Sequence, residues 1–297
     1  MRILEHYFNQ GGSVANLKAA NHLFNKTDSL IEKYGPGPVV HYHIGVFDDC
    51  ERDTVDVDRE TIQRRISRAQ EALLLVAARE WEAKACLGGD IVDVGCGLGG
   101  GSIRWAQECA TSVTAVTNVE AHIPLIAEFA DRAGVGHQVS PLLSGAEDLP
   151  PGLRFDGAVA MESLCYMNRA DVFERLGKVL VDGAAFCVQD VFLERPQFRE
   201  AFDDYWRTRI GTLDEYIEAA RRAGFVLVGE KDITADTSEF WIQSGAWNDL
   251  RLAEVDDAVE YQRLMESARW HANFYRAWRD EAISVRLLKF EKVATAA

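Results

Sequence analysis

The sequence predicts an α/β protein built on a doubly wound sheet of seven strands, and three observations carry that prediction. Short apolar runs recur at IVDVG (91–95), SVTAVT (112–117), HQVSPLL (137–143), FDGAVAM (155–161) and AAFCVQDVF (184–192). Helix-like stretches at 101–110, 120–133 and 168–180 lie between them. The first run ends in a glycine-rich turn, IVDVGCGLGGGS, at residues 91–102. Strands that alternate with helices imply parallel neighbours with helices on both faces.

The remaining elements follow in order. Residues 13–34 and 58–86 read as helices around the turn-rich GPGPVVHYHIGVFDD. In the second, Ile62, Ile66, Ala69, Leu73, Val76 and Ala77 recur at helical spacing. Residues 193–223 read as a helix-rich insertion, 225–234 as a sixth strand, 255–280 as helices and 285–293 as a seventh strand. The last two strands suit an antiparallel hairpin. Three regions result: 1–86, helical and partly a cap; 87–192, a ligand-binding core; and 193–297, cap helices with the last strands. The cap would sit over the carboxyl ends of the strands, where such sheets bind ligands.

Composition excludes several classes. The chain of 297 residues carries a formal net charge of −15, which argues against nucleic acid as a partner. No run of about 18 apolar residues is present, so no membrane span is expected. The start, MRILEHYFNQGGS, lacks the basic and apolar pattern of a signal peptide. Cysteines at 50, 86, 96, 109, 165 and 187 form no CxxC pair. Reduced thiols in a cytoplasm are the expectation. A homo-oligomer is compatible with all of this.

The glycine turn admits two readings. Gly95, Gly97 and Gly100 match the GxGxxG spacing that seats a pyrophosphate on a helix N-terminus. A nicotinamide enzyme would also carry an acidic residue at the end of the second strand, but that strand ends VTNVE. DVGCGLGGGS instead resembles the first motif of class I S-adenosylmethionine-dependent methyltransferases. VTNVEAH (116–122), SGAEDLPP (144–151) and MESLCYM (161–167) resemble, in order, three further stretches of that family's sterol, tocopherol and cyclopropane-forming branch. Asn118 and Val119 stand where the branch has Leu-Ser, His122 replaces a glutamine, Gly145 an aspartate and Tyr166 a histidine.

The resemblance implies a Rossmann-like sheet with a helical N-terminal segment and an inserted cap. It also implies S-adenosylmethionine as cofactor. Asp93, Gly95, Gly97 and Gly99 would then hold its amino-acid part, and Thr117, Asn118 and His122 its ribose. Ala146 and Glu147 would meet the adenine, with Met161 close by. VVHYHIGVF and NLKAANHLFN add a likeness to the prenyl diphosphate C-methyltransferases of the geranyl diphosphate type, looser over 193–282. That likeness implies methylation of an alkene carbon, with geranyl diphosphate favoured and isopentenyl diphosphate second.

Such chemistry leaves a cation that must be stabilised and must lose one proton. Glu162, one residue past the fourth strand, is the candidate base; its bland alternative is a helix cap or an ion-pair partner. Phe202, Tyr205 and Trp206 lie at helical spacing and could face the cation, or simply pack the cap. Trp241, Trp270 and Trp278 carry the same ambiguity. Strand alternation would put His41 and His43 on one face and Tyr42 on the other, so only one set would reach the substrate. The likeness favours Tyr42, with His41 and Tyr166 as further candidates. An acidic protein binding a diphosphate calls for Mg²⁺, whose waters Glu71 could orient. Two rivals are a methyltransferase acting on a neutral terpenoid or prenylated natural product, and a cyclase that uses a bound sulfonium only for its charge.

Overall fold

The computed structural model describes residues 27–35, 37–47 and 52–294, so residues 13–26 of the helix expected over 13–34, the NLKAANHLFN stretch and Cys50 lie outside the described residues. Its centre is a seven-stranded sheet in the order β3-β2-β1-β4-β5-β7-β6. The strands are β1 (Asp90–Val94), β2 (Ser112–Thr117), β3 (Val139–Leu143), β4 (Phe155–Met161), β5 (Leu180–Leu193), β6 (Phe225–Asp232) and β7 (Ile283–Lys292). The first five run parallel, while β7 is antiparallel to both β5 and β6. The fold class is therefore the one the alternating runs predict. Ile91, Val92 and Val94 are buried because β1 has helices over both faces.

The helices are α1 (Thr27–Tyr34), α2 (Arg59–Trp81), α3 (Ala83–Cys86), α4 (Gly100–Cys109), α5 (His122–Arg132) and α6 (Arg169–Val179). They continue with α7 (Arg199–Trp206), α8 (Leu213–Arg222), α9 (Thr234–Thr237), α10 (Glu239–Leu252) and α11 (Ala258–Arg279). Asp58 caps α2, accepting from Thr61 N at 2.7 Å. The single helix expected over 58–86 breaks at Glu82, whose φ of 55° closes α2 and separates α3.

Two apolar layers flank the sheet. One joins α2, α4 and α5 to the cap aromatics, and the other gathers Phe173, Phe186, Phe225 and Phe290. The 193–223 segment divides between these layers. Its first helix, α7, joins the cap with α10 and α11, but α8 packs on α6 and β6, burying Tyr216, Ala219 and Ala220 in the second layer. That apolar face decided its placement. Among the described residues, no helix is long and apolar enough to cross a membrane.

Candidate active site

The glycine turn lies at the carboxyl end of β1. Gly95 and Gly97 have φ of 75° and 57°, in the region where side chains other than glycine are strained. A Cβ on Gly95 would come within 2.6 Å of Ser163 Cβ, so the turn is pressed against the loop after β4. A Cβ on Gly97 would meet nothing within 4 Å, because that backbone borders a cavity of roughly 890 Å³, mouth included. Asp93 is buried under the turn, with Ser102 Oγ donating to Oδ2 at 2.6 Å. Its Oδ1 is buried with no hydrogen-bond partner among the described residues. Burial pushes the Asp93 carboxyl up to about 6.

Most of the residues singled out from sequence border this cavity. Asp93, Gly95 and Gly97 form its floor, and Thr117 and Asn118 approach from the end of β2. Ala146 and Glu147 line it after β3, Met161 at the end of β4, and Glu162 and Tyr166 after it. His41 and Tyr42 close it from the N-terminal side.

Two expected members face elsewhere. Gly99 caps α4, and a Cβ on it would press on Ile126 at 3.0 Å; Gly100 and Gly101 border the cavity instead. His122 is buried behind the turn at the start of α5, with Nε2 3.1 Å from Thr27 Oγ1. Desolvation pushes it down to about 4, so the ring is neutral. The helix begins at His122 itself, and this directs the side chain into the layer beneath the loop.

Glu162 occupies a turn that its sequence position alone does not specify. Its φ is 47°, and the following residues form a short 3-10 turn, Leu164–Tyr166. Ile44 N donates to both carboxylate oxygens, at 3.1 and 3.2 Å, and Gln189 Nε2 donates to Oε1 at 3.1 Å. Burial nevertheless dominates, raising the carboxyl to about 8. The helix-cap alternative does not hold: the next helix, α6, is capped by Asn168.

The turn is tied to β5 through Asp190, which is fully buried. Its Oδ2 accepts from Cys165 N at 3.0 Å and from the Tyr216 hydroxyl at 2.8 Å. Gln189 and Asp190 had not been singled out from sequence. Their signal was two adjacent polar residues near the carboxyl end of an otherwise apolar strand, AAFCVQDVF.

Glu162 also borders a second cavity of roughly 510 Å³, mouth included, under the cap. Tyr34, Phe202, Trp206, Phe240 and Trp241 make it aromatic, and no Lys or Arg is among the described residues lining it. Trp206 and Trp241 have ring centroids 6.2 Å apart. Tyr205 instead stacks on Trp270 at 5.0 Å, outside this cavity, and Trp278 is buried with its indole N–H on Thr237.

The 41–43 segment is not a strand, and the alternation expected of it fails. Tyr42 and His43 both border both cavities, while His41 borders only the first. His43 is held by a 2.6 Å contact between Nδ1 and Ile44 O. Glu71 borders neither cavity: its Oε1 is 2.9 Å from His41 Nε2 and its Oε2 is 3.2 Å from Arg104 Nε. Among the described residues, no group of three or more His, Cys, Asp or Glu is placed to hold a metal.

Comparison with known proteins agrees with this architecture. Residues 91–183 match the Methyltransferase domain family. The 27-O-demethylrifamycin SV methyltransferase of Amycolatopsis mediterranei is 30% identical over 209 residues, 65% of this chain and 73% of that protein. The O-methyltransferase rstn1 of Aspergillus nomiae is 28% identical over 204 residues, 66% and 84% of the two chains. Geranyl diphosphate C-methyltransferase from Streptomyces coelicolor, solved with Mg²⁺, geranyl diphosphate and S-adenosyl-L-homocysteine, superposes with a TM-score of 0.72. The superposition covers 95% of this chain and 99% of that one at 17% identity, a likeness of fold.

The chain belongs to the class I S-adenosylmethionine-dependent methyltransferases. It is an S-adenosylmethionine-dependent methyltransferase enzyme.

Proposed function

We propose that the enzyme methylates an alkene carbon of a short prenyl diphosphate, geranyl diphosphate first and isopentenyl diphosphate second. The observation that carries this reading is the position of Glu162, which borders both the glycine-floored cavity and the aromatic one. The first cavity fits the cofactor: Asp93 Oδ1 is an unused buried acceptor suited to an ammonium group, and the bare Gly95 and Gly97 backbone allows close approach. Thr117, Asn118, Ala146, Glu147 and Met161 would complete that site. His122, turned away behind the loop, is assigned no contact.

Bound S-adenosylmethionine supplies an electrophilic methyl group. The protein's own part is positional and electrostatic. The aromatic walls hold an apolar chain and offer ring faces to a developing cation. Glu162, once ionised, stabilises that cation and takes the proton from the carbon beside it. Ile44 N and Gln189 fix its direction.

For the diphosphate, Mg²⁺ would come with the substrate. Glu71 is engaged by His41 and Arg104, so no described residue is assigned as a ligand of the ion. One observation favours a second reading, a neutral terpenoid or prenylated acceptor: no Lys or Arg is among the described residues lining the aromatic cavity.

The test is incubation with methyl-labelled S-adenosylmethionine and either C5 to C15 prenyl diphosphates or neutral prenylated compounds, with and without a chelator. Label in a C-methylated diphosphate, lost with chelator, supports the first reading. Label only in neutral acceptors transfers support to the second. Label on oxygen alone overturns both.

A further inference from the structure

A second group of reactive side chains lies where α3 meets the sheet, apart from both cavities. Cys86 ends α3 and is half-buried, whereas Cys187 is fully buried in β5. The main chain at Cys86 packs on β4, where a Cβ on Gly157 would lie 3.2 Å from Cys86 O. Gly157 pairs with Ala185 of β5, two residues before Cys187. The Cys187 and Cys86 thiols lie close enough to influence each other electrostatically.

A cation stands beside this pair. Lys289 is the cross-strand partner of Cys187, and its Nζ donates to Trp81 O at 2.7 Å. Cys86 Sγ donates to the same carbonyl oxygen at 3.3 Å. The neighbouring Cys187 thiol, and then the Lys289 ammonium, lower the Cys86 pKa. The other described cysteines are all shifted upward by burial, Cys109 to about 11. Cys109 is close enough to Cys86 to be felt electrostatically, but the three thiols are not placed to share a metal ion. That leaves oxidation chemistry rather than metal chemistry.

We propose that Cys86 and Cys187 are a redox-responsive thiol pair that closes to a disulfide when the protein meets hydrogen peroxide. The Cys86 thiolate attacks one peroxide oxygen, the O–O bond breaks, and the departing hydroxide takes a proton to leave as water. The Cys187 sulfur then attacks the resulting sulfenic sulfur and gives up its proton. The S–O bond breaks, and the second hydroxide leaves with that proton as water. Two thiols are oxidised and one peroxide is reduced to two waters. The link would join α3 to β5, two residues before the glutamine that holds Glu162.

The test is peroxide treatment of the full chain, then intact mass and peptide mapping, with Cys86→Ser and Cys109→Ser alongside. The expected product has lost two hydrogens, contains a single Cys86–Cys187 cross-linked peptide and reverts with dithiothreitol. Cys109→Ser should still form it, and Cys86→Ser should not. Cys86 should alkylate with iodoacetamide at pH 7 at least about tenfold faster than Cys109. Melting curves of both serine variants confirm the fold, and the half-buried Cys86 tolerates that exchange better than Cys187 would. Sulfinic acid at Cys86 without a cross-link, a link to Cys109, or alkylation at equal rates would overturn the proposal.

Discussion

Gln189 Nε2 reaches Glu162 Oε1 at 3.1 Å, joining a residue within β5 to one just past the neighbouring strand, β4. Glu162 N in turn donates to Gln189 O at 2.7 Å, so backbone and side chain are held by the same residue. The pair fixes where a carboxylate faces both cavities, and its chemistry is open to test.

Replacing Glu162 by Gln keeps the shape and removes the proposed base. Turnover should fall by about two to four orders of magnitude, the range for a positioned acid–base group. Binding of S-adenosylmethionine, measured by calorimetry, should change little. Turnover within a factor of two of the parent would remove Glu162 from the mechanism.

Gln189→Met tests the support rather than the base. The donor to the ionised carboxylate disappears, so the Glu162 pKa should rise further. The acidic limb of the kcat profile should move to higher pH, with turnover at pH 7 falling several-fold. Stability should fall by about 1–2 kcal/mol, the usual scale for a lost buried hydrogen bond. A lower melting temperature with an unmoved pH profile would mean that Gln189 serves folding alone.

The raised Glu162 pKa also has a consequence for stability, with a definite sign. The folded carboxyl titrates near 8, while the unfolded one titrates near 4.5. The folded chain therefore holds this proton longer, and stability contributed at low pH is lost as pH rises through about 8. Glu162→Gln is free of that loss. Its melting temperature relative to the parent should climb between pH 5 and about 8.5, as read by thermal denaturation across that range. A difference that stays flat would show that the group is not shifted.

Gly97→Val should damage cofactor binding more than folding. The Cβ position is open, but φ of 57° strains a β-branched residue and its methyl groups would enter the cavity. That strain costs the fold about 1–3 kcal/mol, while the methyl groups occupying the cofactor's space should raise the dissociation constant for S-adenosyl-L-homocysteine well beyond about tenfold. Asp93→Ala should also weaken binding by removing the unpaired Oδ1. Unchanged affinity in both, measured by calorimetry, would place the cofactor elsewhere.

What the sequence by itself determined is whatever depends on local pattern. Alternating apolar runs and amphipathic stretches fixed the seven strands to within a few residues, because burial on both faces demands continuous Ile, Val and Ala in strands such as β1 and β4. The turn after β1 was legible because Gly95, Gly97 and Gly99 take positive φ, which favours glycine. The place of Glu162 just past the carboxyl end of β4 was legible too.

Tertiary structure decided which way each side chain faces where no period constrains it. The irregular 41–43 segment put Tyr42 and His43 on both cavities, and the start of α5 turned His122 away. Gln189 became the partner of Glu162 only because β4 and β5 are neighbours in the sheet, with Met161 in register with Gln189. Residues 28 apart in sequence meet through strand pairing, and no local pattern records that.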